Sequence, residues 1–93
     1  MSMKNPVHPG VLIKEDIEAL NISVAELALK LGVSRQIMFR IIKGETGISV
    51  EMALKLGKAF NTTPEFWLNM QTQYDLAQAR KTANLDNVQV VNG

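Results

Sequence analysis

Residues 27–44 read LALKLGVSRQIMFRIIKG, and this stretch decides the fold. Its first apolar run ends at Gly32, a residue type that readily adopts the positive φ angle of a helix end. Ser34 follows as a candidate N-cap, and Gly44 marks the expected end of a second helix near Lys43. The stretch therefore predicts two short helices joined by a turn rather than one interrupted apolar helix.

The second of these helices has two different faces. At about 100° per residue, its apolar residues fall on one arc, which we expect to face the core: Ile37, Met38, Ile41 and Ile42. The remaining arc carries three cations, one amide, one aromatic ring and no acid: Arg35, Gln36, Phe39, Arg40 and Lys43. A polar arc of this kind is usually a solvated helix face. Whether it is more than that depends on the sign of its charges.

The charges on this outward arc all have the same sign. A solvated helix face normally carries both positive and negative charges, as residues 11–20 do with Lys14, Glu15 and Glu18. A basic helix that follows a short helix across a glycine turn matches the helix-turn-helix layout, in which the second helix lies in a major groove of DNA. We therefore favour a DNA-facing surface over a merely solvated one.

The flanking sequence predicts three more helices. A first helix is expected over about residues 11–20, and Ser23 forms a capping box with Glu26 at the start of the second. Ser49 would cap a fourth helix, and Thr63 a fifth that continues to about residue 81. The sequence therefore predicts an all-α, five-helix domain over residues 1–81.

Residues 82–93 lose this helical periodicity. Val88, Val90 and Val91 are β-branched and lie among asparagines, so we expect either a short strand or a loose C-terminal tail. An isolated strand is not stable, so a strand here would have to pair with something, such as the same strand of a second chain.

The composition narrows the class of protein. The 93 residues suffice for one domain, and 46% hydrophobic with 20% charged residues is typical of a folded chain. There is no cysteine and only one histidine, His8, so we expect no enzyme activity, no metal site and no cofactor. His8 is expected instead to belong to the start of the first helix. No apolar run suits a signal peptide or a membrane span, so the expected location is cytoplasmic, with no membrane partner.

The quoted stretch also resembles a known family. Leu27-Ala28, Gly32, Ser34-Arg35, Arg40 and Gly44 resemble the helix-turn-helix of the phage-repressor-like (Cro/C1, or XRE) family. His8-Pro9-Gly10, the run 48–56 and the run 63–71 narrow the resemblance to the HigA/VapI type of antitoxin over about residues 8–80. The resemblance implies a phage-repressor-like fold, a homodimer that represses its own operon on double-stranded operator DNA, and neutralisation of a HigB-like toxin, an mRNA-cleaving ribonuclease of the RelE type.

The family's base-facing positions correspond to six residues of this chain: Ser34, Arg35, Gln36, Phe39, Arg40 and Lys43. Ser34 could donate to a phosphate, Arg35 or Arg40 could bind guanine bidentately, and Gln36 could pair with adenine. Lys43 is expected to contact a phosphate. Phe39 replaces the small polar residue common at its position, so it either packs on thymine methyl groups, folds back onto the second helix or is covered by a partner.

Two other interpretations of the basic face stay open. A plain XRE-family transcription regulator without a toxin partner would carry the same helix, and a protein-interaction module could use the basic arc to bind an acidic partner. Lys55 and Lys58 are expected either to contact phosphates at the groove edge or to be solvated. Four large residues of the fifth helix form a stripe that we expect to be mainly core, with a smaller part available to a homodimer surface: Phe66, Trp67, Met70 and Tyr74.

Overall fold

Five α-helices make up most of residues 6–91, the part of the chain that the computed structural model describes. The termini of the predicted domain and tail, residues 1–5 and 92–93, lie outside the described residues. The helices follow the predicted order and are α1 (Pro9–Leu20), α2 (Val24–Leu31), α3 (Arg35–Ile42), α4 (Val50–Ala59) and α5 (Pro64–Thr82). The described residues contain no strand, so the all-α prediction is confirmed.

Each helix begins after a side chain that accepts a hydrogen bond from the first turn. The hydroxyls of Ser23, Ser34 and Ser49 accept from backbone amides three residues ahead at 3.0–3.1 Å, and Thr63 does the same for α5 at 3.1 Å. These four predicted caps are confirmed. Such caps satisfy amides that have no partner within the helix, which typically contributes about 1 kcal/mol each.

His8 supplies the remaining cap. Its Nδ1 accepts from the amide of Gly10 at 2.9 Å, and its ring makes an edge-on contact with Tyr74 at a centroid distance of 5.0 Å. The side chain is buried between the start of α1 and α5. The prediction that His8 belongs to the start of the first helix is confirmed.

Apolar side chains from all five helices meet in one core. Its fully buried members include Ile13 of α1, Leu27 of α2, Met38 of α3, Leu56 of α4 and Trp67 of α5. Helix α4 packs mainly against α5, whereas α3 packs against α1 and α2. The core therefore holds α3 from one side and leaves its opposite side to solvent.

The expected stripe along α5 is core at only one of its residues. Trp67 is fully buried, but Met70 and Tyr74 are half-buried and Phe66 is 43% exposed. Gln71, one helical turn after Trp67, is buried instead. Its side-chain oxygen accepts from the amide of Ile48 at 2.9 Å, and its nitrogen donates to Asp75 at 2.9 Å. A buried amide thus fastens the loop after α3 to α5.

The described part of the tail, residues 83–91, is irregular. It contains one turn, in which the Val88 amide donates to the carbonyl of Leu85 at 2.9 Å. Its apolar side chains are all exposed, from 69% at Leu85 and Val88 to 90% at Val90 and Val91. Of the two predicted forms, the single chain therefore shows the tail without a strand.

Candidate nucleic-acid interface

The turn between α2 and α3 fixes how α3 is presented. Gly32 ends α2 with a φ angle of 71°, in the left-handed region that favours glycine. Two residues later, Ser34 accepts from the amide of Ile37 at 3.1 Å and starts α3. Its hydroxyl hydrogen stays available as a donor, because a serine hydroxyl can donate and accept at the same time.

The buried side of α3 is narrower than its apolar pattern indicates. Met38 and Ile41 are 0% and 2% exposed, and Ile42 is half-buried against the core. Ile37, also predicted to face the core, is 44% exposed, so that prediction is wrong.

The cause of this difference lies in α1. On the helical wheel, Ile37 and Ile42 both lie about 70° from the middle of the arc formed by Met38 and Ile41. Helix α1 covers the Ile42 side, where Gly10 sits so close that a Cβ atom on it would overlap the Ile41 carbonyl oxygen and lie 2.9 Å from the Ile42 Cα. Ile37, on the other side of that arc, stays 44% exposed.

The outward face of α3 contains the predicted DNA-binding residues. All six predicted residues are exposed: Ser34, Arg35, Gln36, Phe39, Arg40 and Lys43. A shallow groove on this surface is lined by Gln36, Phe39, Arg40 and Lys43, together with Ile37. The structure therefore brings four of the six into one groove and adds an isoleucine to them.

The cations of this face form no ion pair within residues 6–91. Among residues 6–91 the one ion pair joins Lys55 to Glu51, at 3.6 Å, and none involves Arg35, Arg40 or Lys43. The groove lining contains no carboxylate. Three cations that form no ion pair within the described residues give this surface a local positive potential, although the net charge of the chain is only +1.

Phe39 lines two neighbouring grooves. Its side chain is 45% exposed, and it also lines a second groove with Ile22 and Val24, at the junction of α1 and α2. The ring is thus partly turned toward the start of α2 while almost half of its surface remains open to a partner.

Lys55 and Lys58 are placed away from this groove. They line a different surface depression with Lys30 and Leu31, beside the end of α2. The exposed pair of Lys55 with Glu51 is of the surface kind, which contributes little to stability. The structure therefore does not group these lysines with the α3 residues.

Two features that position α3 were missed by the sequence analysis. Gly10 permits the close approach of α1 to the end of α3, a contact between residues 31 or more positions apart that no local pattern indicates. Gln71 holds the following loop, and no local pattern indicates its bond to Ile48, 23 residues away.

Within residues 6–91, no three histidine or acidic side chains come together in a way that would hold a metal ion. No helix of the described chain is long and apolar enough to cross a membrane.

Known proteins resemble this chain over most of its length. The Helix-turn-helix family (HTH_3) matches residues 13–67, which span α1 to the start of α5. Virulence-associated protein A′ of Dichelobacter nodosus is 54% identical over 77 residues, which are 82% of this chain and 67% of that protein.

Two solved structures share the whole arrangement of helices. The antitoxin GraA in complex with its operator has a TM-score of 0.87 at 36% identity, covering 100% of this chain and 97% of that one. Antitoxin HigA of Pseudomonas aeruginosa, solved with the higBA promoter, has a TM-score of 0.78 at 41% identity and covers 83% and 85% of the two chains.

Proposed function

Since the chain belongs to the helix-turn-helix family of DNA-binding regulators and antitoxins, which are not enzymes, we propose that it binds double-stranded operator DNA through α3. The observation that carries this proposal is the outward face of α3, where Arg35, Arg40 and Lys43 are exposed and form no ion pair with residues 6–91. Such a face complements the phosphate-lined major groove.

Each residue of the face has a role that its chemistry suits. The guanidinium groups of Arg35 and Arg40 offer paired donors to O6 and N7 of guanine, and the amide of Gln36 can both donate to and accept from adenine. Lys43, a compact point charge, contacts a phosphate and sets the register. Ser34 donates its free hydroxyl hydrogen to a phosphate at the start of the helix.

The active form in this proposal is a homodimer. Two copies would place their α3 helices in successive major grooves about 34 Å apart and so bind a palindromic operator. A supporting feature is the exposed apolar tail, where Leu85, Val88, Val90 and Val91 give the single chain a surface that a second copy would cover.

The proposed physiological role is that of an antitoxin. The chain would neutralise a HigB-like toxin, an mRNA-cleaving ribonuclease of the RelE type, and repress its own operon in the cytoplasm. The support is the similarity to GraA and HigA, which are antitoxins solved with operator or promoter DNA.

Operator binding is tested by selecting duplexes from a random pool with the purified chain and footprinting the selected sequence. We expect a palindromic footprint, and we expect the triple variant Arg35→Ala, Gln36→Ala, Arg40→Ala to lose it while keeping its helical circular dichroism spectrum. Unchanged operator affinity in the triple variant would show that α3 does not enter the groove.

The antitoxin role is tested separately by co-expression with the reading frames that neighbour the gene, among which the proposal expects a small basic one that encodes the toxin. We expect one such frame to arrest growth when expressed alone, and this chain to restore growth. Operator binding without such rescue would instead make the chain a plain transcription regulator of the same family. Binding to an acidic protein, with no duplex footprint, would support the interaction-module alternative.

A further inference from the structure

Two apolar side chains flank the polar residues that line the groove on α3, which are Gln36, Arg40 and Lys43. Ile37 and Phe39 are 44% and 45% exposed, whereas Met38 between them is fully buried. Burying such a side chain completely would stabilise a protein, and the fold obtains only part of that stabilisation here.

Their positions around the helix follow an order. At about 100° per residue, and taking Arg35 as zero, Phe39 lies near 40° and Ile37 near 200°. The polar members of the groove fall between these two angles: Lys43, Gln36 and Arg40. The groove surface therefore runs from an apolar edge, across a polar centre, to a second apolar edge.

We infer that Ile37 and Phe39 are specificity-determining residues that contact the C5-methyl groups of thymines on opposite strands of each operator half-site. This inference rests on the proposed binding of operator DNA. It adds Ile37 to the DNA-contacting residues and names a thymine methyl as the group that contacts the exposed part of the Phe39 ring.

The chemistry of the major groove selects thymine. The base edges there present hydrogen-bond donors and acceptors, and their one apolar group is the thymine methyl. Ile37 has no polar atom with which to read any other base, and the exposed half of the Phe39 ring has none either. A guanine or adenine at either edge would leave its polar atoms facing a hydrocarbon, which costs free energy.

The assignment to opposite strands follows from the angle between the two side chains. They are about 160° apart around α3, so a helix lying in the groove turns them toward opposite walls, and each wall belongs to one strand. Arg40 and Gln36, which lie between them, face the floor of the groove and the bases there.

Exposure alone does not carry this inference, because single apolar residues are common on protein surfaces. Leu29 of α2 is 81% exposed but does not line the groove with the α3 cations. Ile37 and Phe39 differ from it because both border the same basic groove on the helix proposed to enter DNA.

The test uses the selected operator duplex with each thymine replaced in turn by deoxyuridine, which removes only the methyl group. We expect affinity, measured at one fixed salt concentration, to fall about fourfold for each contacted methyl. The sensitive thymines should occur on both strands of each half-site, and all other replacements should be neutral.

Two variants assign the methyl groups to their contacts. Ile37→Ala should abolish the deoxyuridine effect at one set of symmetric positions and keep it at the other, and Phe39→Ala should show the reverse. Ile37→Val and Phe39→Leu, which keep an apolar contact, should retain part of each effect and serve if an alanine variant folds poorly. Leu76→Ala, at a 39% exposed leucine of α5, should leave the whole profile unchanged.

Failure of this inference can be told apart from failure of the proposed function. A palindromic footprint that depends on Arg40 but shows no deoxyuridine effect would overturn the inference and leave operator binding intact. Effects that persist unchanged in both alanine variants would overturn it as well. If no duplex gives a footprint, operator binding itself is refuted and this inference with it.

Discussion

The start of α5 and the outward face of α3 use their side chains in opposite ways. Trp67 is fully buried, its indole nitrogen donates to the Thr62 hydroxyl at 2.8 Å, and the rings of Phe60 and Phe66 lie 5.8 and 5.4 Å from it. Arg40 and Lys43 of α3, in contrast, are exposed and unpaired among residues 6–91. Because one region is committed to packing and the other is left free for a ligand, stability and binding should respond to different substitutions.

The largest effect on stability is expected at the packed region. Trp67→Ala should lower the free energy of unfolding by about 3–5 kcal/mol, because it removes a fully buried ring and leaves a cavity. That is a large fraction of the total for a small domain, and urea denaturation measures it. Trp67→Phe keeps an aromatic ring beside Phe60 and should cost clearly less. If the alanine variant loses less than about 1 kcal/mol, this region is not the anchor of the fold.

The local parts of this comparison could be predicted from the sequence. The caps at Ser34 and Thr63 depend on a few neighbouring residues, and so do the bounds of the helices that they start. The basic arc of α3 follows from helical spacing alone. These features needed no knowledge of how the helices pack.

The parts that depend on packing could not be predicted in this way. Helical spacing placed Ile37 and Ile42 symmetrically, and only the position of α1 against Ile42 decided which of them is covered. The burial of Gln71 depends on the amide of Ile48, which is remote in sequence. Val90 and Val91 of the tail are 90% exposed, so packing among the described residues does not account for these apolar side chains.

Gly10 packs against the end of α3, so a substitution there should affect both stability and binding. Gly10→Ala would place a Cβ atom against the Ile41 carbonyl and the Ile42 Cα, which are backbone atoms that cannot rotate away. We expect a loss of about 1–3 kcal/mol in stability and weaker operator binding as α3 shifts. Thermal unfolding and a binding titration would measure the two effects. Val11→Ala, at the exposed neighbouring position, should change neither; if Gly10→Ala behaves like it, the contact between α1 and α3 is not tight.

Substitutions on the outward face should separate binding from stability. Arg40→Ala should weaken binding to the operator by about 1–3 kcal/mol and relax the base preference at one position, with the melting temperature unchanged.

Lys43→Ala should weaken binding to all duplexes alike and reduce the salt slope by about one. Titrations of operator and random duplexes at several salt concentrations distinguish the two. If either variant unfolds as readily as Trp67→Ala, the outward face of α3 contributes to stability as well as to binding, and the two regions do not differ in this way.

The smallest expected effect concerns Asp16, which lines a groove beside the packed region with Leu12, Phe66 and Trp67. Burial, and to a lesser extent the charge of Glu15, raise the pKa of Asp16 above 3.8. The folded chain therefore binds the carboxyl proton of Asp16 more tightly than the unfolded chain does. Above the folded-state pKa, the charged carboxylate lowers the stability of the fold. This destabilisation is lost as the pH falls through the folded-state pKa toward 3.8. Asp16→Asn should thus raise the melting temperature slightly at about pH 7 and lose this advantage below pH 3.8, with operator affinity unchanged at about pH 7. Glu15→Gln should give a smaller gain, and an equal gain at both pH values would mean that the effect comes from the shape of the side chain and not from its charge.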